Sequence, residues 1–313
     1  MLTLDPTDRS IFEELGRDCR IPYKKLAGRI GLSTTAVIRR VSSLIENGLM
    51  FVVLPSRALV GTSGFIGIIH TDGTENVKEL INLIGTNREI IQVSELVTTI
   101  GRSYFVTGEY TRSKHLLEIG RRFRGLNGVK NVELHSIIRS RISEGIKLTA
   151  TKQQLLVLRA LRKDARMKIK DIAEDSGLSV KRVRKIIREI QESGAFRFTT
   201  RWNSTLAKGL DLVLRIQIEE NATSNQQVWN WMKEEFTTRV FDVFQSATEP
   251  VLFAWFEPDD IKDAHGICEM VRKESSVISI TPLVLFSHKK FPWLREFLLD
   301  EMIQTINGGN NTS

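Results

Sequence analysis

Residues 26–33 read LAGRIGLS and residues 172–179 read IAEDSGLS, so one helix-ending signal occurs twice, 146 positions apart. Gly31 can adopt the left-handed conformation that ends a helix, and Ser33 can cap the following helix with its hydroxyl group. The second stretch repeats the glycine and the serine. Two short helices joined by a glycine-containing turn are typical of a helix-turn-helix. The sequence therefore predicts two such domains in one chain.

The repeat extends over the rest of each half. After each helical part the hydrophobic period shortens toward two, and the order strand, helix, strand, strand, helix, strand follows. This order predicts a ferredoxin-like βαββαβ sheet with helices on one face, so the fold class is α+β and a partner sheet has to cover the other face. The expected domains are a helix-turn-helix at 1–50, a connector at 51–61, a ferredoxin-like domain at 62–146, a second helix-turn-helix at 147–196, a second connector at 197–209, a second ferredoxin-like domain at 210–288, and a C-terminal helix and tail at 289–313.

The composition excludes several classes of protein. The 313 residues include 45 Lys and Arg against 37 Asp and Glu, which gives a net charge of +8. This charge favours an anionic partner, and it favours double-stranded DNA over a membrane. The two cysteines, Cys19 and Cys268, lack the spacing of a disulfide framework or a structural zinc site. The sequence has no apolar run of about 18 residues and no leader-type N-terminus, so we expect a cytoplasmic protein without a membrane span.

Five short motifs of the first copy form one pattern along the chain. They are Leu4-Asp5-x-x-Asp8-x-x-Ile11, Arg20-Ile21, Leu26-Ala27-x-x-Ile30-Gly31-Leu32-Ser33, Arg39-Arg40-Val41 and Leu54-Pro55-x-x-Ala58-Leu59-x-Gly61. This pattern resembles the Lrp/AsnC family, the feast/famine transcription regulators, over nearly the whole chain. Family members normally carry one unit per chain and dimerise through their sheets. The resemblance therefore implies an internal pseudo-dimer, with two DNA-reading heads held at a fixed separation by the paired βαββαβ domains, and further assembly into a homo-oligomer.

The third helix of each copy is expected to face the major groove of DNA. In the first copy Val37, Val41 and Leu44 turn inward and leave polar side chains outside. Residues 147–200 carry fourteen Lys and Arg against six Asp and Glu, whereas residues 1–50 carry eight against six, so the second head is expected to make more phosphate contacts. The candidate DNA contacts are Ser33, Thr34, Thr35, Arg39, Arg40, Ser43, Ser179, Lys181, Arg182, Arg184, Lys185 and Arg188.

Structural roles compete with several of these assignments. Ser33 and Ser179 are as well suited to capping a helix as to contacting a phosphate, and the two roles are compatible. A charged outer face is also common on helices that bind nothing. The crowding of basic residues on the one helix that this domain presents to DNA favours the functional interpretation.

Members of the family commonly sense small molecules, often amino acids, at the loop between the second and third strands of the sheet. The resemblance places Thr99, Gly101 and Ser103 at that loop as candidate effector contacts. The family usually has an acidic residue shortly after the glycine, whereas Ser103 stands near that place here. A hairpin turn that merely needs glycine explains Gly101 equally well. The second copy has no glycine in residues 248–251, so no matching pocket is expected there.

Two other functions remain open. Siroheme decarboxylases share this architecture and would need acid and base groups, typically histidines, near the same strands. The five histidines lie outside the loops between second and third strands, at His70, His115, His135, His265 and His288. A metabolite-binding scaffold with vestigial heads would predict depleted basic helices, which the second copy does not have. We therefore expect a regulator rather than an enzyme, with no catalytic residue, metal or cofactor.

Overall fold

The computed structural model describes residues 5–98, 101–138, 150–202, 211–220, 222–236 and 239–308. The chain divides into two compact units. The first, called here the head unit, comprises Met1–Gly61, Ser143–Ala207 and Arg295–Ser313. The second, called the barrel unit, comprises Thr62–Ile142 and Lys208–Leu294. Within the described ranges, none of the helices combines the length and the apolar character that a membrane crossing requires.

The two copies share one order of main elements, three helices and a strand followed by βαββαβ. The first copy comprises α1 (Pro6–Arg17), α2 (Tyr23–Ile30), α3 (Thr34–Glu46), β1 (Leu49–Pro55), α4 (Arg57–Val60), β2 (Ser63–Thr71), α5 (Val77–Gly85), β3 (Ile90–Leu96), β4 (Arg102–Tyr110), α6 (Ser113–Arg124) and β5 (Val129–Ile138). The second comprises α7 (Lys152–Lys163), α8 (Ile169–Ser176), α9 (Val180–Glu192), β6 (Phe196–Trp202), β7 (Asp211–Ile218), α10 (Ala222–Glu235), β8 (Val240–Ser246), β9 (Val251–Phe256), α11 (Ile261–Arg272) and β10 (Val277–Lys290). A last helix, α12 (Leu294–Gly308), follows.

Both helix-turn-helix turns form as the sequence predicts. Gly31 ends α2 with a φ of 75°, and Gly177 ends α8 with a φ of 68°. The hydroxyl group of Ser33 accepts a hydrogen bond from the backbone amide of Ala36 at 3.2 Å, and Ser179 caps α9 in the same way. Because glycine adopts the left-handed conformation without steric cost, the two turns follow directly from the repeated signal.

The two heads pack directly on each other within the head unit. Strands β1 and β6 form an antiparallel sheet that runs from Leu49 opposite Trp202 to Pro55 opposite Phe196. Cys19, from the first head, is fully buried in the core cluster of the second head. The paired βαββαβ domains were expected to fix the separation of the heads, but the heads are also joined directly by apolar contacts and a sheet of their own.

Helix α12 adds to the head unit. Leu299 is fully buried in the core of the second head. Arg295 donates a hydrogen bond to the backbone carbonyl of Pro55 in the first head at 3.1 Å. Glu296 is 2% exposed and lies 3.1 Å from the guanidinium of Arg162 in α7. The helix without a counterpart in the first copy therefore contacts both heads.

The barrel unit is a closed eight-stranded barrel built from two ferredoxin-like sheets. The first half has the order β3-β4-β2-β5 and the second the order β8-β9-β7-β10. The pairs β5–β8 and β3–β10 join the two halves along both edges. The β3–β10 seam is long, whereas in the described residues the β5–β8 seam comprises two residue pairs, Ile137 with Ser246 and Ile138 with Gln245.

The interior of the barrel is where the two sheets cover each other. Ile66 and Phe105 from the first half pack there with Val213 and Phe253 from the second. The outer face of each sheet is covered by its own pair of helices, α5 and α6 in one half and α10 and α11 in the other. The predicted pairing of the two sheets is confirmed, and the joined edges are what the structure adds.

Candidate nucleic-acid interface

Helix α9 presents its basic side chains on an exposed face. Val183, Ile186, Ile187 and Ile190 are buried and hold the helix against the core of the second head. Their spacing of three and four residues confines the remaining positions to the outer side. The exposed basic residues of the helix are Lys181, Arg184, Lys185 and Arg188.

Two basic residues of α9 contact groups of their own head. Arg182 is half-buried, and its Nε donates a hydrogen bond to Oε1 of Gln153 at 2.6 Å. The Nζ of Lys185 lies 3.9 Å from Oε1 of Glu189, an exposed pair of the weak kind that an incoming phosphate can replace. In the part of the chain that the structure describes, no ion pair involves Lys181, Arg184 or Arg188.

Helix α3 has few exposed charges. Arg39 is exposed. Arg40, however, places its Nη1 2.6 Å from Oδ2 of Asp5 and 2.8 Å from Oδ1 of Asp8, both at the start of α1. The amide of Asp8 and the guanidinium of Arg40 lower the pKa of the Asp5 carboxyl, so this ion pair is complete at neutral pH. Arg40 is thus held within its own head.

Three of the hydroxyl-bearing candidates of the first head lie at the N-terminus of α3, and the fourth lies near its other end. Ser33, Thr34 and Thr35 are exposed there, and Ser43 is half-buried one turn before the end of the helix. The free backbone amides of a helix N-terminus attract phosphate oxygens. Ser33 therefore combines a capping role with a position suited to a phosphate contact.

The predicted effector loop places its three residues in different surroundings. Thr99 lies outside the described residues. Gly101 has a φ of 62° in the turn before β4. Ser103 lies within β4, is 2% exposed, and shares a 2.8 Å hydrogen bond with Nδ1 of His70 inside the barrel.

The barrel interior also holds a buried polar cluster that the sequence analysis missed. The His135 ring is fully buried, with Nε2 2.7 Å from Oε1 of Glu133 and Nδ1 3.1 Å from Oγ of Ser246. Arg215 donates from Nε to the same Glu133 oxygen at 3.0 Å. The hydrogen bond with His135 and the charge of Arg215 lower the pKa of Glu133 to about 2. Glu133 and His135 are two residues apart in β5, so period two predicts that they share one face of the sheet. In the structure His135 is fully buried and Glu133 is half-buried.

The same cluster has donor atoms of the kind that bind metals. Glu133, His135 and Glu249 each offer one atom, all within 4.8 Å of one another. The guanidinium of Arg215 lies 2.9 Å from Glu133 and 3.6 Å from Glu249. Its single positive charge offsets one of the two carboxylate charges, so Glu133, Glu249 and Arg215 form an ion cluster at this place.

Each of the two heads has the three-helix fold of a helix-turn-helix domain, and the second exposes a basic third helix. Comparison with known proteins agrees. Residues 4–45 match the AsnC-type helix-turn-helix domain, and residues 151–195 match a winged helix-turn-helix DNA-binding domain. These matches confirm the resemblance to the Lrp/AsnC transcription regulators.

Individual relatives point the same way. The chain is 34% identical over 104 residues to a proline dehydrogenase transcriptional activator of Rhodobacter capsulatus, which is 31% of this chain and 65% of that protein. It is 40% identical over 47 residues to the HTH-type transcriptional regulator LrpA of Pyrococcus horikoshii, which is 15% of this chain and 33% of that protein. The matched segments thus span less than two thirds of these relatives.

A solved structure matches the whole fold. The siroheme decarboxylase NirDL superimposes with a TM-score of 0.60 at 14% identity, covering 97% of this chain and 100% of that chain. At this identity the likeness concerns the fold. It extends the similarity beyond the heads to the tandem arrangement of both copies.

Proposed function

We propose that this protein is a sequence-specific DNA-binding transcription regulator whose two heads bind the duplex unequally. The observation that carries the proposal is the exposed basic face of α9. Each phosphate that a Lys or Arg neutralises releases counterions, so this face supplies most of the affinity that salt can suppress. The first head adds Arg39 and the hydroxyl groups of Ser33, Thr34 and Thr35, which suit base edges and single phosphates.

The remaining parts of the proposal concern assembly and control. The regulator acts in the cytoplasm, where it has access to DNA, and its pseudo-dimeric chains associate into homo-oligomers. A small-molecule effector, an amino acid or another metabolite, binds at Thr99, Gly101 and Ser103, which adjoin the start of β4 in the sequence. The domain boundaries are those inferred from the repeat.

The test compares two triple variants of the full chain. The first variant removes three exposed charges from α9 and combines Lys181→Ala, Arg184→Ala and Arg188→Ala. Its matched control removes three exposed charges from the barrel unit, Lys114→Ala, Arg121→Ala and Lys262→Ala. Binding to a labelled duplex is measured by fluorescence anisotropy at several salt concentrations. We expect the α9 variant to lose affinity for every duplex, and its salt slope to fall by about one unit for each lost phosphate contact.

The control variant is expected to retain the affinity and the salt slope of the wild type. Equal losses in both variants would mean that overall charge, and not α9, determines binding. A wild-type protein that binds no duplex at low salt would reject the proposed function.

A second candidate function is the decarboxylation of an iron tetrapyrrole. NirDL, whose fold this chain shares, is described as a siroheme decarboxylase and was also solved with an iron-uroporphyrin III analogue. The observation that favours this candidate is the pair of buried His135 and half-buried Arg215, both bonded to Glu133. A histidine can transfer a proton, and a guanidinium can hold a ligand carboxylate.

An absorbance titration separates the two candidates. Iron uroporphyrin III is added to the purified protein and to His135→Ala. The enzyme candidate predicts a shift of the porphyrin band with the wild type and a weaker one with the variant. An unchanged spectrum with both proteins would reject the enzyme and leave DNA binding untouched.

A further inference from the structure

Ile38 occupies an unusual position for a large apolar side chain. It lies in the first half of α3, is 44% exposed, and is absent from the buried core of the first head, which Val37, Val41 and Leu44 provide. Ile38 is also not among the partly buried side chains that pack against this core. Its neighbours on the outer side are Thr35 and Ser42, both exposed and uncharged.

The same positions of the second head are basic. A shift of 146 residues places Ile38 on Arg184. It also places Thr35 on Lys181 and Ser42 on Arg188. All three side chains of α3 are exposed, like their basic counterparts in α9. At these three equivalent positions α3 thus exposes uncharged side chains, whereas α9 exposes basic ones.

The charge of α3 cannot compensate for this difference. Of its two arginines, Arg40 is held by Asp5 and Asp8 within the head, so Arg39 remains as the exposed cation. A helix with one exposed cation gains little from phosphates and has to contribute through the base edges. In the major groove the apolar group of a base edge is the methyl group of thymine, which apolar side chains contact.

We infer that Ile38 packs against the 5-methyl group of a thymine, so that the first head determines sequence while α9 anchors the protein to the backbone. The inference rests on the proposed DNA-binding function. It assigns Ile38 a specificity-determining role, and it predicts that a thymine in the site of the first head is distinguished from uracil, which lacks only this methyl group.

The experiment removes the methyl group from the DNA and the side chain from the protein. A duplex selected from a random pool by the full-length protein is resynthesised with each thymine replaced in turn by uracil. Dissociation constants are measured by fluorescence anisotropy for the wild type, Ile38→Ala and Ile45→Ala. Ile45 is also 44% exposed, but it lies at the C-terminal end of α3, away from the end that enters the groove.

For the wild type we expect at least one uracil replacement to weaken binding about fourfold, the effect of one buried methyl group. Ile38→Ala is expected to bind both forms of that duplex equally. Ile45→Ala is expected to discriminate like the wild type. Matching circular dichroism spectra of the three proteins exclude misfolding as the reason for any loss.

Two results would overturn the inference and leave the proposed function standing. One is a wild type that binds every uracil-containing duplex as tightly as the parent duplex. The other is an Ile38→Ala protein that keeps the fourfold discrimination. A wild type that binds no duplex from the pool would overturn both the inference and the proposed function.

Discussion

Gly101 and Gly28 are both candidates for replacement by alanine, but a methyl group would meet different surroundings at each. A Cβ atom on Gly101 would lie 2.5 Å from the carbonyl oxygen of Thr71, at a φ of 62° that favours glycine. A Cβ atom on Gly28, inside α2, would have no neighbour within 4 Å. The local backbone, and not the residue type, therefore determines what each substitution does.

We expect Gly101→Ala to lower the free energy of unfolding by at least about 1–2 kcal/mol, because alanine is strained in the left-handed region and clashes with the carbonyl. Gly28→Ala should leave it unchanged or raise it by up to about 1 kcal/mol, because alanine favours a helix. Urea unfolding followed by circular dichroism measures both. A stabilised Gly101→Ala protein would contradict the strained turn.

Arg39 and Arg40 are adjacent in sequence but differ in their contacts. We expect Arg39→Ala to reduce the salt slope of DNA binding by about one unit and to keep the melting temperature. Arg40→Ala should lower the melting temperature, since it leaves the carboxylates of Asp5 and Asp8 without their cation. Anisotropy and thermal melting are measured on both variants. If Arg40→Ala melts at the same temperature as Arg39→Ala, the ion pair of Arg40 has no structural role.

At the scale of elements, two arginines at equivalent positions of the repeat, Arg20 and Arg166, each donate hydrogen bonds to the other head. Arg20 donates from Nη1 to the carbonyl oxygens of Ala165 at 2.5 Å and Met167 at 3.2 Å. Arg166 donates in return to the carbonyl oxygen of Ile21 at 3.1 Å and to that of Cys19. Arg20 is half-buried, and this burial lowers the pKa of its guanidinium. Each head thus satisfies backbone groups of the other.

Arg20→Ala should therefore lower the free energy of unfolding by about 2 kcal/mol, because buried carbonyl groups lose charged donors. The matched control is Arg17→Ala, whose side chain is 70% exposed and pairs with Glu13 and Glu14 of its own helix. We expect the control to change the value by less than about 0.5 kcal/mol. Urea unfolding of the helical signal compares them, and equal effects would mean that the exchange between heads adds no stability.

At the scale of the whole molecule, the buried cluster of the barrel joins the two halves of the repeat. Glu133 and His135 come from β5 of the first half, whereas Arg215 and Ser246 come from β7 and β8 of the second. Because the pKa of Glu133 is lowered to about 2, ionised Glu133 stabilises the folded state at neutral pH. This contribution is present above the pKa of the unfolded state and is lost as the pH falls toward the folded value.

The wild type should therefore lose up to about 3 kcal/mol of unfolding free energy through Glu133 between about pH 5 and pH 2.5. Glu133→Gln cannot be protonated at this position, so its stability should fall less over the same interval. Glu249→Gln, with a side chain that is 49% exposed in the wild type, serves as the control and should follow the wild type. Urea unfolding at several pH values measures the difference. Parallel curves for all three proteins would contradict a stabilising ionised Glu133.

Much of the fold could be predicted because the signals are local. The repeat of Gly31 at Gly177 fixes two turns through the conformational freedom of glycine, and the spacing of Val37, Val41 and Leu44 determines the buried side of α3. Period two predicts the order of strands in each half, although the second ferredoxin-like domain was expected to end at residue 288 and its last strand continues to Lys290. That extension depends on pairing with β3, a partner far away in the chain.

By itself the sequence determined the duplicated order of elements, the two turns, the inward faces of the recognition helices and the excess of positive charge on the second. Tertiary structure alone decided that the barrel closes along both edges, that Arg20 and Arg166 cross between the heads, that Arg40 is held by carboxylates of α1, and that His135 is buried beside Arg215. The physical reason is the distance along the chain over which each interaction acts. Helix periods, caps and turns depend on residues within a few positions, whereas each of the other features joins groups whose separation along the chain carries no pattern.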